Sequence, residues 1–467
     1  MRIPAALLGT FLLCAASAST AAAENDAAAA RQIASIVDPI VEKELAAGVP
    51  GAAFVFVRDG KVVYQHGYGV SDLKTKAKVD PERTVWPIAS ITKTVTALGA
   101  LQLVTQGRVK LDDDVNRYLE RLQVPTQGYS ALTLRHILSH TGALDEIPGR
   151  RYDGKQAPDM AAFLEGKLVR YREPGKLTAY STYGMALAGV LIEDVSGQSY
   201  ADYLQQHIFK PAGMTSARLM LHQGDEKSVA TPYEIDDGHA TAIPYEWYMT
   251  PPTSSMVATT ADMARLLLVH IANGRVGTGQ IVSPALMQAM HAQQATNHPD
   301  LPGWSLGFQL DTVNGVAIVE HGGDIAGFSA LLALLPDKHE GFFIVNHGES
   351  GDLRFRVKQA LLDALYPAKP MDVPAADAKN APAMAEYAGR YISSITCRTC
   401  TLSDDQVFVV KAQSNGTLSL WGQTWVPLRR DLFVRDDGKR LLGFARDEQN
   451  KIVSVTGGSW RVADRLD

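Results

Sequence analysis

The chain has 467 residues, 46% of them hydrophobic and 20% charged, with a formal net charge of −5. That ordinary globular balance excludes a disordered or membrane-embedded chain, and the length suggests two domains, or one large and one small. With no basic domain and no like-charge run long enough to act as a tail, nucleic acid is not expected as a partner.

Residues 1–23 have the form of a secretory signal: Arg2, an apolar core from Ala5 to Ala16, then small-residue sites ending at Ala18 or Ala23. The core is too short to cross a bilayer comfortably, so no stable membrane span is expected. Lipidation of Cys14 is disfavoured, because Leu13 before it is bulkier than the small residue such sites want. Cleavage removes Arg2 and no acid, taking the charge from −5 to −6. The expected location is periplasmic or secreted.

Residues 27–47 repeat apolar positions at helical spacing (Ile33, Ile36, Val37, Ile40, Val41, Leu45) and stop at Gly48 and Pro50. Ala52 to Val57 is an unbroken apolar run, followed by Asp59-Gly60 and a second run from Lys61 to Tyr64. This predicts a hairpin whose first strand is covered on both faces. Ser90 then opens an apolar pattern (Ile91, Val95, Leu98) running to Gly107, where a small polar residue ordinarily caps the first turn. Lys93, three residues on, shares a helix face with Ser90. A buried lysine loses its charge more readily and can take a serine proton, while a helix N-terminus suits developing negative charge. Ser-x-x-Lys alone is a weak pattern, and Ser71-Asp72-Leu73-Lys74 is a second copy with no apolar helix behind it.

Thr133 opens a short apolar helix ending at Ser139-His140-Thr141-Gly142. His136 and His140 are spaced as zinc ligands can be, but the glutamate of His-Glu-x-x-His and a third ligand are missing. The pair reads as structural, and no metal is expected. Pro174-Gly175 makes a turn, and Tyr180-Ser181-Thr182 leads into a helix closing at Gly197, with Ser181 and Thr182 as potential caps. Residues 215–255 are irregular and aromatic, as binding loops often are. Thr260-Ala261-Asp262 begins a helix through His270. Strands resume near Trp304, and Val316 to Val319 run into Glu320-His321-Gly322-Gly323-Asp324, where tandem glycine lets a backbone or ligand come close. Phe328 to Leu335 and Phe342 to Val345 are further buried-type runs. Residues 367–385, rich in Pro and Ala, read as a linker. From Tyr387 on, short strands with turn signals suggest a small sandwich or barrel. Within it Cys397-x-x-Cys400 is open to a local disulfide or free thiols, with metal or redox roles less favoured because no second pair or nearby histidine supports them.

Gly67-Tyr68-Gly69-Val70, Ser90-Ile91-Thr92-Lys93, Leu101-Gln102-Leu103, His136 to Gly142, Tyr180-Ser181-Thr182, Thr260 to Ala264 and His321-Gly322-Gly323 follow one another in an ordered set. Over roughly residues 30 to 365 this set resembles the serine β-lactamase and penicillin-binding protein superfamily, on the class C side. That side includes D-alanyl-D-alanine carboxypeptidases, D-amino-acid peptidases and related esterases. The resemblance implies an α/β (α+β) fold, an antiparallel sheet flanked by helices plus a helical region. Joined to the leader, linker and short-strand tail read from the residues, the expected layout is a signal over 1–23, a hydrolase domain over 24–366, a linker over 367–385 and a small all-β domain over 386–467. The resemblance also implies Ser90 as acylated nucleophile, Lys93 as proton relay and Tyr180 as general base alone or with Lys93. His321 would line the site from a strand in the place of the lysine of Lys-Thr-Gly. The backbone N–H groups of Ser90 and Asp324 would form the oxyanion hole. Thr182, Gly322 and Gly323 would contact substrate, and no metal or organic cofactor is implied.

Two departures bear on substrate. Thr182 replaces the asparagine of Tyr-x-Asn, shortening the group that would meet a substrate amide. His321 replaces a permanent cation with a side chain mostly neutral at pH 7. Both argue against an efficient dedicated β-lactamase, and neither argues against acyl transfer. The leading expectation is a serine hydrolase acting on a small ester, amide or D-amino-acid peptide. β-Lactams and cell-wall peptides are further candidates, and a catalytically dead scaffold is the contrasting class. An α/β-hydrolase is disfavoured because the chain has no Gly-x-Ser-x-Gly.

Overall fold

The structure, a computed structural model, describes residues 8–348, 352–458 and 462–466. Of the expected leader, residues 1–7 lie outside the described residues, and Leu8 onward belongs to a single helix, Leu8–Ala46. Among the described residues no helix is long and apolar enough to cross a membrane.

The apolar run at Gly51–Arg58 sits inside a seven-stranded antiparallel sheet. On one side it pairs with Lys61–Asp72 through the Asp59-Gly60 turn, both turn residues having positive φ. On the other it pairs with Glu340–His347, the last strand of a meander built from Gln309–Val313, Val316–Ile325 and Phe328–Leu335. The first strand of the chain thus joins strands from its far end. Its side chains alternate between two cores. Phe54 and Phe56 pack with Ile33, Val37 and Val41 of the N-terminal helix and with Leu353, Val357 and Leu361 of the helix Asp352–Leu365. Ala53, Val55 and Val57 face the larger core, which contains the helices Thr92–Thr105, Thr182–Ser196 and Thr260–Ile271. Burial on both faces is why this strand carries no polar alternation.

Two local expectations need correction. Ser90 is not an N-cap: it lies in a 3-10 turn, Ala89–Ile91, and the α-helix begins at Thr92 without a side-chain cap. The stretch 215–255 is not irregular throughout, since Tyr233–Asp236 and His239–Ala242 form a hairpin across Asp237-Gly238. Pro251–Ser254 is a short helix.

Among the described residues, eight strands between Gly389 and Arg465 close into a barrel around Tyr387, Tyr391, Trp425, Phe433 and Phe444. Cys397 and Cys400 are joined as a disulfide. The barrel docks on the larger α/β region through ion pairs, Asp464 with Arg172 (2.9 Å) and Arg440 with Asp311 (3.3 Å).

Candidate active site

The 3-10 turn carrying Ser90 hangs from the strand Val85–Pro87 and meets the sheet at Gly323. A Cβ at Gly323 would press into the Ile88 carbonyl and come within 3.1 Å of the Ala89 Cβ. Only glycine lets the two backbones approach this closely. Ala89 itself holds a positive φ of 49°, a conformation L residues adopt at a cost.

One helical turn after Ser90, Lys93 is almost fully buried at 1% exposure. Its Nζ donates to Ser90 Oγ (2.9 Å) and to the carbonyl of Thr253 (3.0 Å), and sits 4.9 Å from the centroid of the Tyr180 ring. Burial, and then the nearby Arg150, push its pKa down to about 7, partly offset by Glu146. Tyr180 precedes the helix Thr182–Ser196, whose N-cap is Ser181; the Ser181 Oγ accepts from the Gly184 N–H at 3.0 Å. The Tyr180 side chain is hydrogen-bonded to Ser90, yet burial dominates and holds its phenol well above the usual range.

His321 lies on the strand Val316–Ile325, its ring centroid 6.0 Å from that of Tyr180. Its Nδ1 is 2.6 Å from the Gly322 carbonyl oxygen. A carbonyl only accepts, so Nδ1 carries the proton and Nε2 presents a lone pair. Burial and the neighbouring Lys93 push its pKa down to about 3, so the ring is neutral. Gly322 and Gly323 line the same strand. Beyond them the Asp324 carboxylate is gripped by Arg354, reaching from the helix Asp352–Leu365 at 2.6 and 2.7 Å. The Arg354 guanidinium also donates to the Gly323 and Ala330 carbonyls and to Ser329 Oγ, fixing the strand end. Ser90, Lys93, Tyr180 and His321 are therefore brought together. Thr182 stands beside them, but its N–H and hydroxyl turn to the Glu146 carboxylate.

Several groups here gave no readable signal in the sequence. Glu146 accepts from Thr182 and Tyr183 N–H groups and pairs with Arg150 at 2.7 Å. Burial raises its pKa and Arg150 opposes that. Thr253 supplies the second acceptor to Lys93 from a short helix that only the fold brings near. His136 behaves as read, closing a capping box with Thr133. His140 does more: its Nδ1 accepts from the Ser181 N–H (2.9 Å), and its ring packs on Tyr180 (4.6 Å) and Trp304 (4.3 Å). Beside the turn that carries Ser90 is a pocket whose walls include Met220, Tyr245, Tyr248, Ser254, Ile325 and Phe328.

The chain is similar to several known proteins. Residues 33–366 match the Beta-lactamase family model. Protein Flp of Staphylococcus aureus (strain MRSA252) is 26% identical over 321 residues, 66% of this chain and 62% of that protein, so the chain spans about three-fifths of the Flp length. Penicillin-binding protein 4* of Bacillus subtilis (strain 168) is 25% identical over 365 residues, 72% of this chain and 77% of that protein. The crystal structure of SurE with D-Leu superposes with a TM-score of 0.66 at 22% identity, covering 94% of this chain and 100% of that one, a likeness of fold.

Proposed function

The chain belongs to the Beta-lactamase family, a family of serine hydrolases, and we propose that it forms an acyl-enzyme on Ser90 and hydrolyses an ester or amide, of the esterase or D-amino-acid peptidase type, the signal-like residues 1–23 supporting a secreted or periplasmic location. The observation that carries this reading is the 2.9 Å contact between Ser90 Oγ and a lysine whose pKa is near 7. At neutral pH a large fraction of Lys93 is free amine and can accept the Ser90 proton as Oγ attacks the carbonyl carbon. The oxygen of the tetrahedral intermediate takes hydrogen bonds from the N–H groups of Ser90 and Asp324. Collapse expels the alcohol or amine, which receives its proton from Lys93 through the Tyr180 hydroxyl. Because burial keeps Tyr180 protonated, it relays a proton rather than starting as the base. Water then releases the acid by the reverse relay.

The electrostatics favour a substrate without a carboxylate at the reacting end. His321 is neutral, and the nearby guanidinium groups of Arg150 and Arg354 are engaged by Glu146 and Asp324. A neutral ester or amide fits better than a β-lactam, whose carboxylate wants a cation. The intact Ser90, Lys93 and Tyr180 cluster weighs against a dead scaffold.

The test is turnover of p-nitrophenyl acetate, a D-leucine p-nitroanilide and a simple penicillin by the full chain and by Ser90→Ala. Ester or D-amino-acid amide turnover that vanishes in Ser90→Ala supports the reading. Equal rates in both proteins would overturn it.

A further inference from the structure

Resting on that reading, we infer that the disulfide-closed loop Cys397–Cys400 of the barrel is a positioning element for the Tyr180 segment, making acylation of Ser90 sensitive to the redox state of this one disulfide.

Two arms run from the barrel to that segment. The first goes through Asp145, a carboxylate only 1% exposed. It accepts from the backbone N–H of Arg398 (2.7 Å), the N–H of Thr399 (3.0 Å) and Thr399 Oγ1 (2.6 Å), with Cys397 Sγ 3.6 Å away. These donors converge on one carboxylate because the cross-link four residues wide folds the loop back on itself. The next residue is Glu146, which receives the Thr182 and Tyr183 N–H groups at the start of the helix after Tyr180. The second arm starts from Asp464 of the barrel. It holds Arg398 of the same loop (2.7 Å) and Arg172 (2.9 Å) together. Arg172 in turn donates to the carbonyls of Leu177 (3.3 Å) and Thr178 (3.4 Å), just before Tyr180. The loop therefore braces the segment 177–183 from both sides.

An isolated buried carboxylate is costly, and without the loop Asp145 would keep only the N–H of Glu146 (2.9 Å), so the three loop donors hold it in place. Two-electron reduction by dithiothreitol, which becomes its cyclic disulfide, breaks the Cys397–Cys400 bond and gives two thiols. The loop then regains backbone freedom. Cys400 is half-buried, within reach of a small dithiol. The expected consequence is a loosened Tyr180 segment in a protein whose two cores remain packed. Asp145 and Thr399 are positioning residues: neither touches the reacting atoms.

The experiment uses the full oxidised chain and two readouts, each before and after dithiothreitol. One is amide hydrogen exchange in peptides spanning 178–184. The other is the rate at which a fluorophosphonate labels Ser90, a reaction that forms the Oγ–P bond, breaks P–F and leaves the proton on Lys93. Reduction should speed exchange there and slow labelling, each by about tenfold or more, while Tm moves little. Reoxidation should restore both. Cys397→Ser with Cys400→Ser should start at the reduced values and ignore dithiothreitol. Thr399→Val, which keeps the disulfide, should lie between. Lys176→Ala, which removes an exposed pair with Glu448 at the same interface, should match the parent.

Unchanged exchange at 178–184 overturns the inference whatever the labelling does. Faster exchange with labelling unchanged within twofold also overturns it. If the parent chain exchanges as expected but never labels Ser90, the brace stands as structure while the hydrolase reading and the redox control of acylation both fall.

Discussion

Lys93 gives the sharpest quantitative prediction. A solvent-exposed lysine is about 0.03% neutral at pH 7, so burial that brings the pKa to about 7 raises the free-amine fraction roughly a thousandfold. The amine must be neutral to accept the Ser90 proton, so acylation should fall as pH drops through 7. Relative to the plateau, the rate should be about a tenth at pH 6 and about a hundredth at pH 5. Burial sets this midpoint first, Arg150 lowers it further and Glu146 raises it. Arg150→Met should therefore move the midpoint to higher pH, and Glu146→Gln to lower pH. The assay is stopped-flow acylation by p-nitrophenyl acetate from pH 5 to 10, reading the p-nitrophenol burst so that deacylation does not intrude. A rate still climbing linearly beyond pH 9 would mean that the lysine is not depressed or that a tyrosinate is the base. A rate flat down to pH 5 would remove Lys93 from the proton path.

Three substitutions test other parts of the site. Tyr180→Phe should cost an amide substrate about a hundredfold or more in acylation but a p-nitrophenyl ester less than tenfold, because only the amine leaving group needs a relayed proton; equal losses would refute the relay. Gly323→Ala forces the sheet edge off the Ile88-Ala89 turn, so it should cost about 1–3 kcal/mol in urea unfolding and slow acylation about a hundredfold. A rate within threefold of the parent would show that the close approach is not needed. His321→Lys restores a cation for a carboxylate and should raise the rate of penicillin adduct formation, seen by intact mass, about tenfold; no gain would mean that the neutral histidine does not govern that choice.

What could be read in advance was mostly local. Asp59-Gly60, the unbroken run through Phe54 and Phe56, and Ser181 as the cap of a helix closing at Gly197 are short-range signals, and the fold uses them as written. The Asp-Gly at 237–238 is a weaker signal, because its flanks, Tyr233–Asp236 and His239–Ala242, are short and mix polar with apolar residues instead of forming apolar runs. The start at Ser90 differs because the turn is set by the sheet edge at Gly323, more than two hundred residues away, and not by a cap. Motif resemblance brought Ser90, Lys93, Tyr180 and His321 together. It was silent on Thr253, Glu146 and Arg354, whose contacts depend on tertiary placement. His140 read as a structural histidine, and only the fold lays it against Tyr180. The Cys397–Cys400 bond was one of several open readings, and its contact with Asp145 spans more than 250 residues of sequence.

The proposed function rests on Ser90 being a nucleophile made reactive by Lys93. It is tested most directly by intact mass and peptide mapping after brief exposure to a fluorophosphonate at pH 8. One adduct per chain is expected, on the peptide carrying Ser90, absent in Ser90→Ala and slower by about a hundredfold or more in Lys93→Met. No adduct, or an adduct on another residue that survives Ser90→Ala, would contradict it.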